Sequence, residues 1–182
     1  MHDFTDPSYR GVAFSNILVV AQGERLQDRA QFERTVVNSV RAQGGNGGAF
    51  FQNVDRGAPI NRDSVRQALK NGNFDAVLVT RVLDADASME VGKDIAGARA
   101  TRRNDRPIDF FRYDYEETPV SGEVSLNVMA TLETTLYRVS DETPVWTAVY
   151  SNSDTDSAAD FIYVSARDIV GLMARDRLIA KP

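Results

Sequence analysis

The first eighty residues alternate between strand and helix patterns. The apolar, β-branched run at residues 16–21 predicts a strand buried on both faces. An apolar stripe at helical spacing then predicts a first helix: Phe32, Val36, Val37 and Val40. A capping box from Asp28 to Gln31 is expected to start this helix, and Gly44 to end it.

Two more strands and a second helix complete this half of the chain. Residues 49–54 predict the second strand, and Asn61 is expected to cap a helix that ends at Gly72. Residues 74–83 predict the third strand, which becomes more polar towards its end. Because strands that alternate with helices are joined by crossovers, this β-α-β-α-β order predicts a parallel portion of sheet.

The second half predicts an antiparallel hairpin and a closing helix. Apolar and polar residues alternate from 124 to 136, and residues 145–150 return after a turn at Asp141. Residues 157–175 carry apolar side chains at helical spacing. The fold expected is a single α/β (α+β) domain, with a mixed parallel and antiparallel sheet of about five strands flanked by three helices.

Within this fold we expect a flexible N-terminal arm at residues 1–11 and one domain at 12–182. Residues 92–119 are weakly patterned, which predicts a long loop or a hairpin excursion. The N-terminal arm is polar and contains Pro7, as a tether left after removal of a signal segment would be. No run is long and apolar enough to cross a bilayer.

The composition of the chain excludes several functions, and adds little to the fold prediction. A chain of 182 residues with 42% hydrophobic and 26% charged residues has enough apolar material for one core. Its net charge of -5 argues against nucleic-acid binding, which rests on clustered lysine and arginine. With no cysteine, disulfides and thiolate metal sites are excluded within these 182 residues.

Candidate catalytic groups are few. His2, in the N-terminal arm, is the single histidine, so a catalytic triad and a histidine metal cluster are poorly supported. Asp84, Asp86 and Glu133 are candidates for paired-carboxylate chemistry, although solvated surface positions are the favoured interpretation. We therefore predict no catalytic, metal or cofactor residues, and leave enzymatic activity open with a non-enzyme favoured.

Three further motifs have ordinary structural interpretations. The glycine-rich run at 44–48 follows a helix, whereas a phosphate loop precedes one, so a helix end and turn are favoured. Residues 152–156 resemble a calcium loop but lack its glycine and final glutamate, and Ser157 with Asp160 instead fits a helix cap. Trp146 is expected in the core rather than against a ligand.

Charged and aromatic side chains concentrate between residues 93 and 117. Six positive and six negative charges cancel there, with the basic residues early and the acidic ones late, so the two arms of a hairpin could pair. The alternative is a partner-binding arm, because arginine and aromatic residues are enriched in interface hot spots. Its candidate residues are Arg102, Arg103, Arg106, Phe110, Phe111 and Tyr113.

Several segments together resemble a group of bacterial envelope proteins. They are the run 17–20, Phe32-Glu33 with the helix ending at Gly44, the run 74–79, the segments 136–139 and 144–146, and the closing helix. In this order they are similar to the amino-terminal domain of TolB, the penicillin-binding-protein activator lipoproteins and related uncharacterised lipoproteins. The resemblance spans residues 12–180. It implies a mixed sheet with flanking helices, a periplasmic location, a lipid anchor through an upstream cysteine, and docking to envelope proteins.

From the residues and the resemblance together we expect a non-catalytic envelope domain, a lipoprotein that acts as a protein-protein interaction adaptor. Its partner would be an envelope protein of unknown identity. The chain itself would contact a membrane, expected to be the outer membrane, only through an N-terminal lipid anchor. The alternative is a small-molecule-binding protein or a carboxylate-dependent hydrolase, with its site at the ends of the parallel strands. A cytoplasmic location accompanies that alternative.

Overall fold

The fold is seen in a computed structural model of the chain. It describes residues 2–5, 12–23, 25–55, 57–88, 100–102, 113–115, 127–152, 155 and 157–180. Within these, residues 2–5, 84–88, 100–102, 113–115 and 127–129 are described by their backbone alone.

Eight strands and four helices follow one another along the described parts of the chain. In order they are β1 (His2–Thr5), β2 (Asn16–Gln22), α1 (Leu26–Ala42), β3 (Asn46–Ala49), α2 (Phe50–Asn53), α3 (Arg62–Gly72), β4 (Ala76–Ser88), β5 (Ala100–Arg102), β6 (Tyr113–Tyr115), β7 (Asn127–Arg138), β8 (Pro144–Asn152) and α4 (Ala158–Arg175).

Six of these strands form one mixed sheet in the order β1-β8-β7-β4-β2-β3. β2 pairs in parallel with β3 and with β4, while β4, β7, β8 and β1 pair antiparallel in turn. β5 and β6 form a separate two-stranded antiparallel sheet. The predicted class, a single α/β domain with a mixed sheet and three long helices, is confirmed, and β1 adds a sixth strand from the N-terminal arm.

The two faces of the sheet are covered by different helices. On one face, Val36 and Val40 of α1 and Ile169 of α4 pack in one apolar cluster with Ile17 of β2 and Leu78 of β4. On the other face, α2 and α3 pack against the alternate residues of the same two strands. The helices contribute Phe50, Val65 and Ala68, and the strands contribute Leu18, Val20, Val77 and Val79. β2 and the first part of β4, residues 76–79, are therefore buried on both sides, which explains their continuous apolar runs.

Several predicted helix ends agree with the structure. Asn61 caps α3, since its side chain accepts a hydrogen bond from the Ser64 amide at 2.9 Å. Ser157 caps α4 by accepting from the Asp160 amide at 3.1 Å. α1 ends at Ala42, and Gly44 follows in a left-handed conformation (φ 91°) that suits glycine.

Two predictions of local structure are wrong. α1 begins at Leu26, so Asp28 lies in its first turn instead of capping it, and Arg25 at the cap position makes no side-chain capping bond. The strand predicted at 49–54 is instead β3 at Asn46–Ala49 followed by the short helix α2. Glycine fits at position 48 of β3, because a Cβ there would lie 2.7 Å from the ring of Phe74.

None of the helices in the described residues has an apolar stretch long enough to cross a membrane.

Candidate functional site

The topology of the parallel strands indicates a crevice at the carboxyl ends of β2 and β3. β2 leads into α1, which packs on one face of the sheet, whereas β3 leads through α2 to α3 on the opposite face. Neighbouring parallel strands whose connections leave on opposite faces diverge at their carboxyl ends, and open α/β sheets bind ligands at that point. This crevice is therefore the first place to look for a functional site.

The side chain of Glu33, from α1, occupies the crevice. One carboxylate oxygen accepts a hydrogen bond from the Ala21 amide near the end of β2, at 3.0 Å. The other oxygen accepts from the Phe51 amide at the start of α2, also at 3.0 Å. Glu33 is 1% exposed. Its carboxylate thus joins α1, β2 and α2 from within the core.

Burial dominates the electrostatics of this group. The loss of water raises the pKa of Glu33 from its ordinary value of 4.5 to about 7. The hydrogen bonds from the Ala21 and Phe51 amides and the positive charge of Arg29 act in the opposite direction, because they favour the ionised form. Glu33 therefore changes its protonation near neutral pH.

The surroundings of Glu33 contain arginine side chains from the same helix. The guanidinium of Arg34 lies 5.3 Å from the ring centroid of Phe51, a cation-π contact that holds α2 against α1. The stem of Arg29 passes close to Gly23, which follows β2. A buried carboxylate on two amide donors leaves those donors unavailable to a carboxylate or phosphate ligand, so the crevice is filled by the chain itself.

The amino end of β2 is closed by a second carboxylate. Asp75, just before β4, accepts hydrogen bonds from the Ser15 amide at 2.7 Å and from the Asn16 amide at 3.0 Å. The side-chain amide of Asn16 then donates to the carbonyl of Gly72 at 2.8 Å. β2 is therefore fixed to its neighbours at both ends by acidic side chains.

Of the three carboxylates that the sequence singled out, the structure describes the side chain of Glu133. Glu133 on β7 forms an ion pair with Arg81 on β4, its partner in the register of the two strands. Asp84 and Asp86 lie further along β4, opposite Thr131 and Met129, and their side chains lie outside the part described. This ion pair links β4 to β7, so Glu133 has a structural role in the sheet.

The arginine and aromatic arm is described in part. Arg102 in β5 and Tyr113 in β6 are partners in the antiparallel register, so their backbones lie side by side. Arg103, Arg106, Phe110 and Phe111 lie outside the described residues. Partner binding by these six residues stays a prediction, as does the division of the chain at residues 11 and 12.

Trp146 and the residues at the start of α4 have structural roles. Trp146 is 1% exposed and its indole nitrogen donates to Asp176 at 3.0 Å, so the core assignment is confirmed. Ser157 of the calcium-like segment caps α4. Among the described residues, no group of three or more acidic, histidine or cysteine side chains could hold a metal ion.

Sequence reasoning missed Glu33, although a signal was present. Glu33 is three, four and seven residues before Val36, Val37 and Val40, and this spacing places it on the apolar stripe of α1. A charged residue on a buried stripe needs hydrogen-bond partners, because an unpaired buried carboxylate is costly. Its partners, the amides of Ala21 and Phe51, come from other elements and could not be read from α1.

Comparison with known proteins supports the fold. No family model matches the chain, and no curated protein matches it in sequence. Among solved structures, it is similar to PelC from Paraburkholderia phytofirmans, solved as a dodecamer, with a TM-score of 0.51, 12% identity, and 98% of this chain and 97% of that chain covered.

Two further solved structures cover most of the chain. Lipoprotein GNA1162 from Neisseria meningitidis has a TM-score of 0.45 and 13% identity, covering 88% of this chain and 99% of that one. A minor lipoprotein from Acinetobacter baumannii has a TM-score of 0.38 and 12% identity, covering 91% and 96%. The shared fold rests on the comparison with PelC.

Proposed function

We propose that this chain is a non-catalytic domain of the bacterial cell envelope that works by binding protein, both envelope partners and further copies of itself. The observation that carries this proposal is the position of Glu33 at the carboxyl ends of β2 and β3, where open α/β sheets bind small ligands. Its carboxylate takes the hydrogen bonds of the Ala21 and Phe51 amides there. The envelope location is supported by the sequence resemblance. Self-association is supported by the fold shared with PelC, which was solved as a dodecamer.

The surface that we propose for an envelope partner is the arm that begins at β5 and returns through β6. Arg102 and Tyr113 are partners in the β5–β6 ladder, so an arginine and an aromatic residue occupy adjacent positions on the two strands. These residue types dominate the energetics of many interfaces. The remaining residues of this surface are Arg103, Arg106, Phe110 and Phe111.

Chemical cross-linking in intact cells, followed by affinity capture and mass spectrometry, tests this proposal. The variant Arg102→Ala with Tyr113→Ala is expected to lose at least tenfold of its captured partner, because removing hot-spot side chains costs about 2 kcal/mol or more. The matched control is Tyr163→Ala with Arg167→Ala, which removes the same residue types from the exposed surface of α4, where the two side chains contact each other.

Equal capture by the wild type and the arm variant would remove the arm from the proposal. A small-molecule function predicts a different result: in a thermal-shift screen, a bound ligand would raise the unfolding temperature of the wild type. The same ligand would raise the unfolding temperature of Glu33→Gln by less, because this substitution alters the crevice.

A further inference from the structure

The two edges of the main sheet differ in how they are protected. At the β3 edge, the guanidinium of Arg41 donates to the carbonyl of Gly47 at 3.0 Å. The side-chain amide of Asn53 donates to the carbonyl of Ala49 at 2.7 Å. An incoming strand would have to displace both side chains to reach these carbonyls, so the β3 edge is closed to strand addition.

The opposite edge is formed by β1, which pairs with β8. Four residue pairs make this antiparallel ladder, from His2 with Val149 to Thr5 with Trp146. β8 is anchored without β1, because its other side pairs with β7 and its side chains at Trp146 and Tyr150 are buried in the core. β1 is therefore an added strand on a site that β8 already presents.

The connection between β1 and the rest of the domain is long for the distance that it spans. In the sheet order, β1 and β2 are four strand positions apart, roughly 19 Å at the usual spacing between strands. Phe14 is already fixed to the domain, because it pairs with Ile179 and exchanges backbone hydrogen bonds with Leu178 and Ala180. The nine residue steps from Thr5 to Phe14 can reach about 30 Å when extended. This reach lets β1 lie against a β8 strand that belongs to another molecule.

We propose that β1 is exchanged between copies, so that β1 of one copy pairs with β8 of a second copy in the same register. This rests on the proposed protein-binding function and names the contact by which copies associate. The ladder is the same within one copy and between two, so exchange loses no main-chain hydrogen bond, and its cost is the ordering of two molecules. Copies held together on a membrane surface would have most of that cost offset by their high local concentration.

Cysteine cross-linking tests the exchange, because the chain contains no cysteine of its own. The variants Phe4→Cys and Thr147→Cys place one thiol each at partner positions of the ladder. The two full-length variants, one of them labelled with ¹⁵N, are unfolded together in urea, refolded and mildly oxidised. Peptide mass spectrometry then measures disulfides that join position 4 of one chain to position 147 of the other.

Exchange predicts that this inter-chain disulfide links about half of the molecules, the fraction expected from random pairing of two variants. The matched control mixes Thr131→Cys with Ser151→Cys, partner positions of β7 and β8, which belong to one hairpin in either arrangement. The control mixture is expected to show inter-chain links only at the level of chance collisions.

Two results would overturn the proposal. One is an inter-chain yield no higher than the control, with the double variant Phe4→Cys and Thr147→Cys closing its disulfide within one chain. The other is a wild-type molar mass by light scattering that stays that of one chain at all concentrations. Neither result touches binding of an envelope partner, which the capture experiment measures separately.

Discussion

Replacing Glu33 with glutamine keeps the size of the side chain and removes its titrating proton. In the folded protein the pKa of Glu33 is raised from 4.5 to about 7 by burial, so the fold favours the protonated form. The stability that this group contributes is therefore fully present below pH 4.5 and is lost as the pH rises through 7. At 1.36 kcal/mol per pKa unit, the loss across this window is roughly 3 kcal/mol.

The same structure gives the cost of the substitution at low pH. Glutamine has one acceptor oxygen, so either the Ala21 or the Phe51 amide would face an amide group that cannot accept. An unsatisfied buried donor costs about 1–3 kcal/mol. We expect Glu33→Gln to be less stable than the wild type at pH 4 by about that amount, and the two proteins to be nearly equal, or reversed, at pH 8.

Urea unfolding followed by circular dichroism from pH 4 to pH 8 measures this difference. The difference between the two free energies of unfolding cancels the contributions of the other carboxylates. One of these is Asp141, whose pKa is held well below its usual range by hydrogen bonds from Arg138. Glu33→Met is the second comparison, since it removes both hydrogen bonds and titration together. A wild-type advantage that stays constant or grows with pH would show that burial does not dominate, and would refute the reasoning.

Two further predictions concern the backbone. Gly48→Ala is expected to cost about 1–3 kcal/mol in urea unfolding, since its Cβ would lie 2.7 Å from the ring of Phe74, whereas Gly171→Ala, an open position in α4, should stabilise by about 0.5–1 kcal/mol. Equal effects at the two glycines would contradict the close approach of β3. Asn61→Ala should cost about 1 kcal/mol through loss of the α3 cap, and Arg25→Ala, at a helix start with no side-chain cap, less than about 0.5 kcal/mol. Similar losses at both positions would count against the assigned caps.

Much of the fold could be predicted because local pattern and final environment agree. β2 and residues 76–79 of β4 are apolar on both faces and are buried on both. Asn61 and Ser157 cap helices in sequence and structure alike. The strand predicted at 49–54 is wrong because two distant contacts override local preference. Glu33 accepts a hydrogen bond from the amide of Phe51 at the start of α2, and Gly48 before it lies too close to the ring of Phe74 for a side chain.

The candidate site was less predictable than the fold. The carboxylates at 84, 86 and 133 were chosen for their residue type, but Glu133 is bound to Arg81 by strand register, which a single sequence does not reveal. Glu33 carried a signal in its position on the apolar stripe of α1. Its role depends on the amides of Ala21 and Phe51, which belong to other elements and which α1 alone does not reveal.

The central claim, a cell-envelope domain that binds protein, is tested most directly by the mature N-terminus of the native, full-length gene product. Cells that express it are fractionated, and the N-terminal peptide is identified by mass spectrometry. The account predicts an envelope fraction in which the mature protein begins with a lipidated cysteine. An unprocessed protein found in the cytosol would contradict it, and would return small-molecule binding to first place.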